Sequence, residues 1–229
     1  MSDLTWDRIG AACGIVWFPV DMLAFFFTST AHAVPGSGAA STGEITRLLA
    51  TPPPAQAWVG EYLYALGALL FLVFTTRLWV VLWRSEGGRG WLSVTALGAG
   101  LIYVALKAPQ HATIQVLWTR AGHGLDVQVG AALWDAYQIL LFASLSFNAL
   151  MVLAAGGVIL RERVLPGWLG WSALGVAAAL LAAVITHVFP LAFLFAVWVT
   201  AAGVVLFLRS EPPLAADRAV TAPVAASPR

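Results

Sequence analysis

The composition of this 229-residue chain is that of a membrane protein, since 60% of its residues are hydrophobic and 10% are charged. A soluble domain carries about 25% charged residues. The formal net charge of +1 gives no basis for nucleic-acid binding. The single cysteine, Cys13, excludes an intramolecular disulfide and a cysteine-based metal site. We therefore expect an all-α fold, a polytopic transmembrane helical bundle whose main partner is the lipid bilayer.

Six apolar segments are long enough to cross ~30 Å of hydrocarbon, which takes about 20 helical residues. In chain order they are about 9–30, 57–83, 91–117, 130–160, 167–187 and 190–208. The last two come from one apolar run that Pro190 divides, because proline removes a backbone donor. These spans form a single predicted domain, 1–208. Residues 31–56 are predicted as an extracytoplasmic loop, in which Ser41 or Thr42 begins a short helix with Glu44 in its first turn. Residues 209–229 are predicted to be a disordered cytoplasmic tail.

The arginines predict the orientation of the six spans. Two arginines, Arg47 and Arg120, fall in the loops on one side, and eight fall on the other: Arg8, Arg84, Arg89, Arg161, Arg163, Arg209, Arg218 and Arg229. The positive-inside rule places the eight, and both termini, in the cytoplasm. Arginine-rich and alanine-rich composition favours a bacterial source, and hence the bacterial cytoplasmic (inner) membrane.

A rival interpretation of the first span is a cleavable signal peptide, because residues 31–33 read A-x-A. Asp3 and Asp7 outweigh Arg8 at the start of the chain, and Asp21 interrupts the long apolar run. We therefore predict that Met1 to Ala33 stays attached.

Ionisable residues within the spans are the strongest functional signal, because each is costly unless it faces protein or water. They are Asp21, Glu61, Arg77, Lys107, His111, Asp135 and His187. All except Arg77 fall in the outer third of the bilayer or at its outer border, and they come from five spans. We expect Arg77 to reach the inner headgroups with its long side chain.

A polar stripe in the third span contains Lys107, the sole lysine of the chain. Tyr103, Lys107, His111 and Gln115 are four residues apart and share one helical face. Pro109 is expected to kink this helix. An unpaired ammonium at this depth costs ~2.5–3.5 kcal/mol on insertion scales, so we expect a carboxylate within hydrogen-bond reach. The candidates are Asp21, Glu61 and Asp135. A structural ion pair and a role in a pocket both fit this pattern.

These residues predict an outward-facing polar pocket that binds a small, partly apolar, lipophilic molecule. The predicted ligand-binding residues are Asp21, Glu61, Tyr103, Lys107, His111, Asp135 and Gln138. The alternatives are a membrane-embedded acid/base enzyme, of isomerase or cyclase type, acting on a lipophilic substrate, and a transporter or accessory subunit. We assign no catalytic residue and expect no cofactor. We also expect no metal, because the spacing of His111 and His187 is not diagnostic of one.

Three stretches carry a family resemblance: "DRIGAACGIVW" in the first span, "GEITRLLA" in the outer loop, and "LPGWLGWSALGVAAALL" at the start of the fifth span. The chain resembles bacterial membrane proteins of domain-of-unknown-function family 4386 over most of residues 8–208. The most specific part runs from Leu165 to Trp171. The resemblance implies a multi-helix membrane fold and assigns no site residue.

Overall fold

The computed structural model describes residues 3–31, 40–87 and 90–209, and within them it is helical with no strand. The helices are α1 (Asp3–Ala31), α2 (Thr42–Ala50), α3 (Ala55–Ser85), α4 (Trp91–Arg120), α5 (Val127–Glu162), α6 (Gly167–Thr186) and α7 (Phe193–Arg209). A 3-10 turn, Phe189–Ala192, joins α6 to α7. Among the described residues, six helices are long and apolar enough to cross a membrane: all but α2, with α7 taken together with the 3-10 turn before it. The predicted all-α bundle of six spans is therefore confirmed.

The six long helices pack in a closed ring. Consecutive long helices contact one another along the chain, and α7 returns to pack against α1. Each helix divides into a face that packs inward and a face with large exposed apolar side chains. On α3, for example, Val59, Leu66, Leu69 and Val73 recur at helical spacing and are exposed, as expected of side chains that face lipid.

Small residues bring the helices of the ring close together. A Cβ added to Gly60 of α3 would lie 2.9 Å from the Ala24 carbonyl oxygen of α1, and one added to Gly203 of α7 would lie 3.0 Å from that of Ala11. Glycine is needed there because the facing atom belongs to the backbone, which cannot swing aside. Such close approach through small residues is a general means of packing helices in membranes.

Arg77 forms an ion pair with α1. Its Nη1 lies 2.9 Å from Oδ1 of Asp7, and its side chain is 14% exposed. The guanidinium thus joins α1 to α3, and its reach to the inner headgroups stays a prediction.

The short helix α2 covers one end of the ring. It begins with a capping box, as the sequence predicted: the Ser41 backbone N–H donates to Glu44 Oε2 at 2.8 Å, and Glu44 N–H donates to Ser41 Oγ at 3.3 Å. The Ser41 hydroxyl also donates to Glu44 Oε2, at 2.7 Å, and this hydrogen bond together with the one from the Ser41 backbone N–H lowers the pKa of the Glu44 carboxyl. The buried face of α2, Ile45, Leu48 and Leu49, packs on α3, α4 and α5.

The tryptophans fall into two groups. Trp83, Trp91, Trp168 and Trp171 are exposed near span ends, as interfacial residues should be. Trp118 is instead buried beside α2, with its ring 5.8 Å from that of Trp58. Trp17 and Trp198 lie in the middle of their helices and are 3% exposed or less, so both pack between helices.

Two predictions for the ends of the chain fall mainly on undescribed residues. Ala31 ends α1, and the rest of the A-x-A sequence lies outside the described residues. Of the predicted disordered tail, Arg209 belongs to α7 and the remaining residues are likewise outside.

Candidate functional site

A cavity of about 350 Å³ lies inside the ring of helices. Its walls come from α1, α3, α4, α5, α7 and the 3-10 turn before α7. These contributions come from the second half of α1, the first half of α3, the middle and second half of α4, the first half and middle of α5, and the start of α7. The cavity therefore extends from the middle of the bundle toward the end that carries α2 and the α6–α7 turn.

The α4 stripe predicted from the sequence contributes directly to this cavity. Tyr103, Lys107 and His111 all line it. Gln115, one turn beyond, donates a hydrogen bond from Nε2 to Glu61 Oε2 at 3.3 Å. Helix α4 continues through Pro109, whose missing N–H leaves one carbonyl of the preceding turn without its helical partner.

Glu61 and His111 form a buried pair between α3 and α4. His111 Nδ1 lies 3.0 Å from Glu61 Oε2, and the two side chains are 13% and 5% exposed, His111 first. Glu61 does not itself line the cavity, but it fixes the imidazole that does. The ring of Tyr64 packs on this imidazole with centroids 4.5 Å apart. Glu61 thereby orients His111 by a bond that also sets which ring nitrogen carries the proton.

Lys107 lies on the cavity wall without the direct ion pair that the sequence led us to expect. Within the part of the chain that the structure describes, no carboxylate oxygen lies within 4.0 Å of the Lys107 Nζ, the distance limit of an ion pair. Asp21 and Glu61 act on it electrostatically from a longer distance. Its ammonium lies 5.5 Å from the centroid of the Tyr103 ring, within the range of a cation–π contact. The predicted hydrogen bond from Lys107 to a carboxylate is therefore wrong.

Asp21 lines the same cavity from α1. Its Oδ1 would lie 3.6 Å from a Cβ added at Gly67 of α3, so the carboxylate lies beside a surface left open by a missing side chain. Asp21 interacts electrostatically with Lys107 and, more weakly, with His111. A carboxylate and an ammonium thus line one cavity without a direct ion pair between them.

Asp135 and Gln138 have separate places, although three residues apart on α5. Gln138 lines the cavity. Asp135 is exposed and is not among the lining residues. Of the seven predicted ligand-binding residues, the structure brings Asp21, Tyr103, Lys107, His111 and Gln138 to the cavity and Glu61 directly behind it. It leaves Asp135 on the surface of the helix.

Aromatic side chains form much of the wall, and the sequence interpretation omitted them. They are Trp17, Phe25, Tyr64, Trp134, Tyr137, Phe189, Phe193 and Phe195. For α5 a signal was present: Trp134, Gln138, Leu141, Leu145 and Asn148 recur every three or four residues and all line the cavity. The sequence alone does not show which aromatic residues face the cavity and which face lipid. Tyr64 lines the cavity, whereas Tyr62, two positions away on the same helix, is 76% exposed.

Several buried polar atoms around the cavity have no hydrogen-bond partner among the described residues: Gln110 Oε1, His111 Nε2 and Asn148 Oδ1. Such atoms are costly to bury. In the described ranges, no three His, Cys, Asp or Glu side chains are grouped closely enough to hold a metal ion. The chemistry on offer is that of one ammonium, one carboxylate, a Glu–His pair and amide and phenol groups in an aromatic cavity.

Comparisons with known proteins add no further assignment. No family model matches this chain, and no curated protein or solved structure does. The resemblance to domain-of-unknown-function family 4386 therefore stays a prediction.

Proposed function

We propose that this integral membrane protein binds one small, partly apolar molecule in the cavity. The observation that carries the proposal is a chamber of about 350 Å³ that contains both Asp21 and Lys107 without a direct bond between them. That volume is at the lower end of the ~300–1,000 Å³ range of small-molecule sites. Mostly apolar walls with a few convergent polar groups are typical of such sites.

The direct test is native mass spectrometry of the protein released from the membrane in which it is made. Ala196 lines the cavity and is 7% exposed, so Ala196→Phe places a ring in the space that a ligand needs. The neighbouring Val197 is 56% exposed on the lipid side, so Val197→Phe is the matched control. We expect a bound mass on the wild type and on Val197→Phe, and its loss from Ala196→Phe. The same bound mass on all three proteins, or on none of them, would refute a ligand in this cavity.

We further propose that the cavity lies toward the outer face of a bacterial cytoplasmic membrane. The support is the arginine distribution: Arg84, Arg161 and Arg163 lie at the end of the bundle away from the cavity, and positive residues favour the cytoplasm. Gly43 in α2 and Gly167 at the opposite end both have open space where a Cβ would lie. In a Cys13→Ala background, a membrane-impermeant thiol reagent added to intact cells should label Gly43→Cys and spare Gly167→Cys. The reverse pattern would contradict this orientation.

Acid/base catalysis on a lipophilic substrate is a second candidate, and the Glu61–His111 pair favours it. A carboxylate that holds an imidazole by one nitrogen is a common arrangement for proton transfer. His111 lines the cavity and Glu61 sits behind it at 3.0 Å. An enzyme would release a product that differs in structure from the molecule it takes up, whereas a binding protein returns the same molecule. Chromatography of a recovered ligand before and after incubation with the protein distinguishes the two.

A further inference from the structure

We propose that Lys107 is a nucleophile that forms a protonated imine with an apolar aldehyde or ketone. The inference deepens the proposed function, because it depends on the cavity being a ligand site. It names the chemical class of the ligand and the atom that binds it, the Nζ of Lys107.

The geometry leaves Lys107 available for reaction. Its side chain lines the cavity, and within the described residues no carboxylate oxygen lies inside the 4.0 Å range of an ion pair. A structural lysine would be held against its counter-charge, because a buried ammonium without one is costly. Here the counter-charge, Asp21, lines the same cavity and acts from a distance. A ligand can therefore reach the nitrogen without first breaking an ion pair.

The choice of lysine also matters. The chain contains eleven arginines and a single lysine. Among the described residues that line the cavity, the lysine is present and no arginine is. A guanidinium stays protonated at all accessible pH and makes a poor nucleophile. A lysine amine can lose its proton and attack a carbonyl carbon. A site that needed a fixed positive charge could use the arginine that the chain uses elsewhere.

The charges around the cavity favour a ligand with no net charge. Asp21 and Lys107 both line the cavity and interact electrostatically, and Glu61 is paired with His111. An anionic or cationic ligand would add a charge without a partner to a poorly solvated space. A neutral carbonyl compound adds none. The iminium that it forms keeps the positive charge of the lysine, and Asp21 remains its counter-charge.

The reaction balances with the groups present. The neutral amine donates its lone pair to the carbonyl carbon, the C=O π pair moves to oxygen, and proton transfer gives a carbinolamine. The C–O bond then breaks, water leaves and the C=N bond forms. Overall, the ammonium and the carbonyl compound are converted to the iminium and water, with one positive charge on each side of the equation. Asp21, the carboxylate that lines the same cavity, can take the proton of the ammonium through a bridging water molecule and return it by the same route to the departing hydroxyl.

The aromatic walls suit such a product. Tyr64, Trp134, Tyr137 and Phe193 surround the space with flat apolar faces. These faces can pack against an apolar or conjugated carbonyl compound. Because they also exclude water, they slow the hydrolysis that would release it.

The test is reductive trapping on the full-length protein in detergent, with cinnamaldehyde as the probe and cyanoborohydride as the reductant. Peptide mapping should place one reduced adduct on Lys107. Because the cavity positions the reactants, we expect the adduct to form at least ~10-fold faster than on protein unfolded in SDS. Lys107→Arg keeps the charge and removes the nucleophile, so it should retain only the background adduct at the amino terminus. Cinnamyl alcohol, which has no carbonyl group, should slow the reaction of the wild type by competition.

The outcomes separate the imine from the binding site. Equilibrium dialysis with cinnamyl alcohol, on the wild type and on Ala196→Phe, measures whether the cavity binds this shape. Saturable binding that Ala196→Phe abolishes, without a Lys107 adduct from cinnamaldehyde, would overturn the imine and leave the binding function standing. Equal adduct rates on native and unfolded protein would overturn the imine as well. Absence of both the adduct and the alcohol binding would overturn both proposals for ligands of this class.

Discussion

The buried Glu61–His111 pair gives the sharpest prediction of stability. Glu61→Ala removes a carboxylate that accepts two hydrogen bonds, from His111 at 3.0 Å and from Gln115 at 3.3 Å. The side chains of Glu61 and His111 are 5% and 13% exposed, so water cannot replace the lost partner. Removing one member of a buried pair costs ~3–5 kcal/mol, because the other is left unpaired. We expect this cost for Glu61→Ala and for His111→Ala alike.

The double variant isolates the pair itself. A hydrogen bond to a charged group contributes ~1.5–3 kcal/mol. The double variant should therefore be destabilised by less than the sum of the single variants, by about that amount. Neutral hydrogen bonds between membrane helices average about 0.6 kcal/mol in such cycles. A coupling well above that average would distinguish this pair from an ordinary interhelical contact.

The assay is unfolding by SDS in mixed micelles, followed by circular dichroism. Gln115→Ala is the control, because it removes the longer bond and leaves the pair in place. We expect it to cost at most ~1.5 kcal/mol, because its bond is the longer one, at 3.3 Å, and Glu61 keeps the hydrogen bond from His111. Additive effects of Glu61→Ala and His111→Ala, with a coupling near zero, would refute the reasoning that the two side chains act as one buried unit.

Two further predictions concern packing and capping. Gly203→Ala should destabilise the bundle by ~1–3 kcal/mol, because its Cβ would press on the Ala11 carbonyl. Gly98→Ala is the control, since nothing lies within 4 Å of its Cβ, and it should be neutral or stabilising in the same SDS titration. Equal losses of stability in the two variants would contradict this prediction. Ser41→Ala should increase amide hydrogen exchange in α2, because it removes the cap hydrogen bond to Glu44 N–H. Folding lowers the pKa of Glu44. The protection of α2 amides from exchange that this carboxylate provides is therefore full above its unfolded pKa and is lost as pH falls through its folded pKa. Amide protection that rises on acidification would contradict the capping assignment.

The number of spans was predictable because length and hydropathy determine which segments can cross a bilayer. The break before α7 was predictable for a local reason, since Pro190 cannot continue a helix. The structure places a left-handed His187 at the end of α6, followed by the 3-10 turn that contains Pro190. The cap of α2 was equally local, because Ser41 and Glu44 have the spacing of a capping box.

The site was predictable only in part. The α4 stripe was visible because polar residues stand out within an apolar helix. The pairing of His111 with Glu61 joins residues 50 positions apart, and no pattern within either helix encodes it. The aromatic walls were hidden because lipid and protein interior are both apolar, so the periodicity that separates core from surface in a soluble helix is weak here. Asp135 was predicted to share the inward face of Gln138, because the two residues are three positions apart. It lies at the edge of that face and is exposed.

The most direct measurement of the central claim is a crystal structure of the wild-type protein grown from a lipid mesophase, without added ligand. We expect connected density inside the helix ring between Asp21 and Lys107, in contact with the aromatic walls. We also expect the Lys107 nitrogen to bond to that density and not to a carboxylate. A collapsed cavity in which Lys107 pairs directly with Asp21 would contradict this expectation.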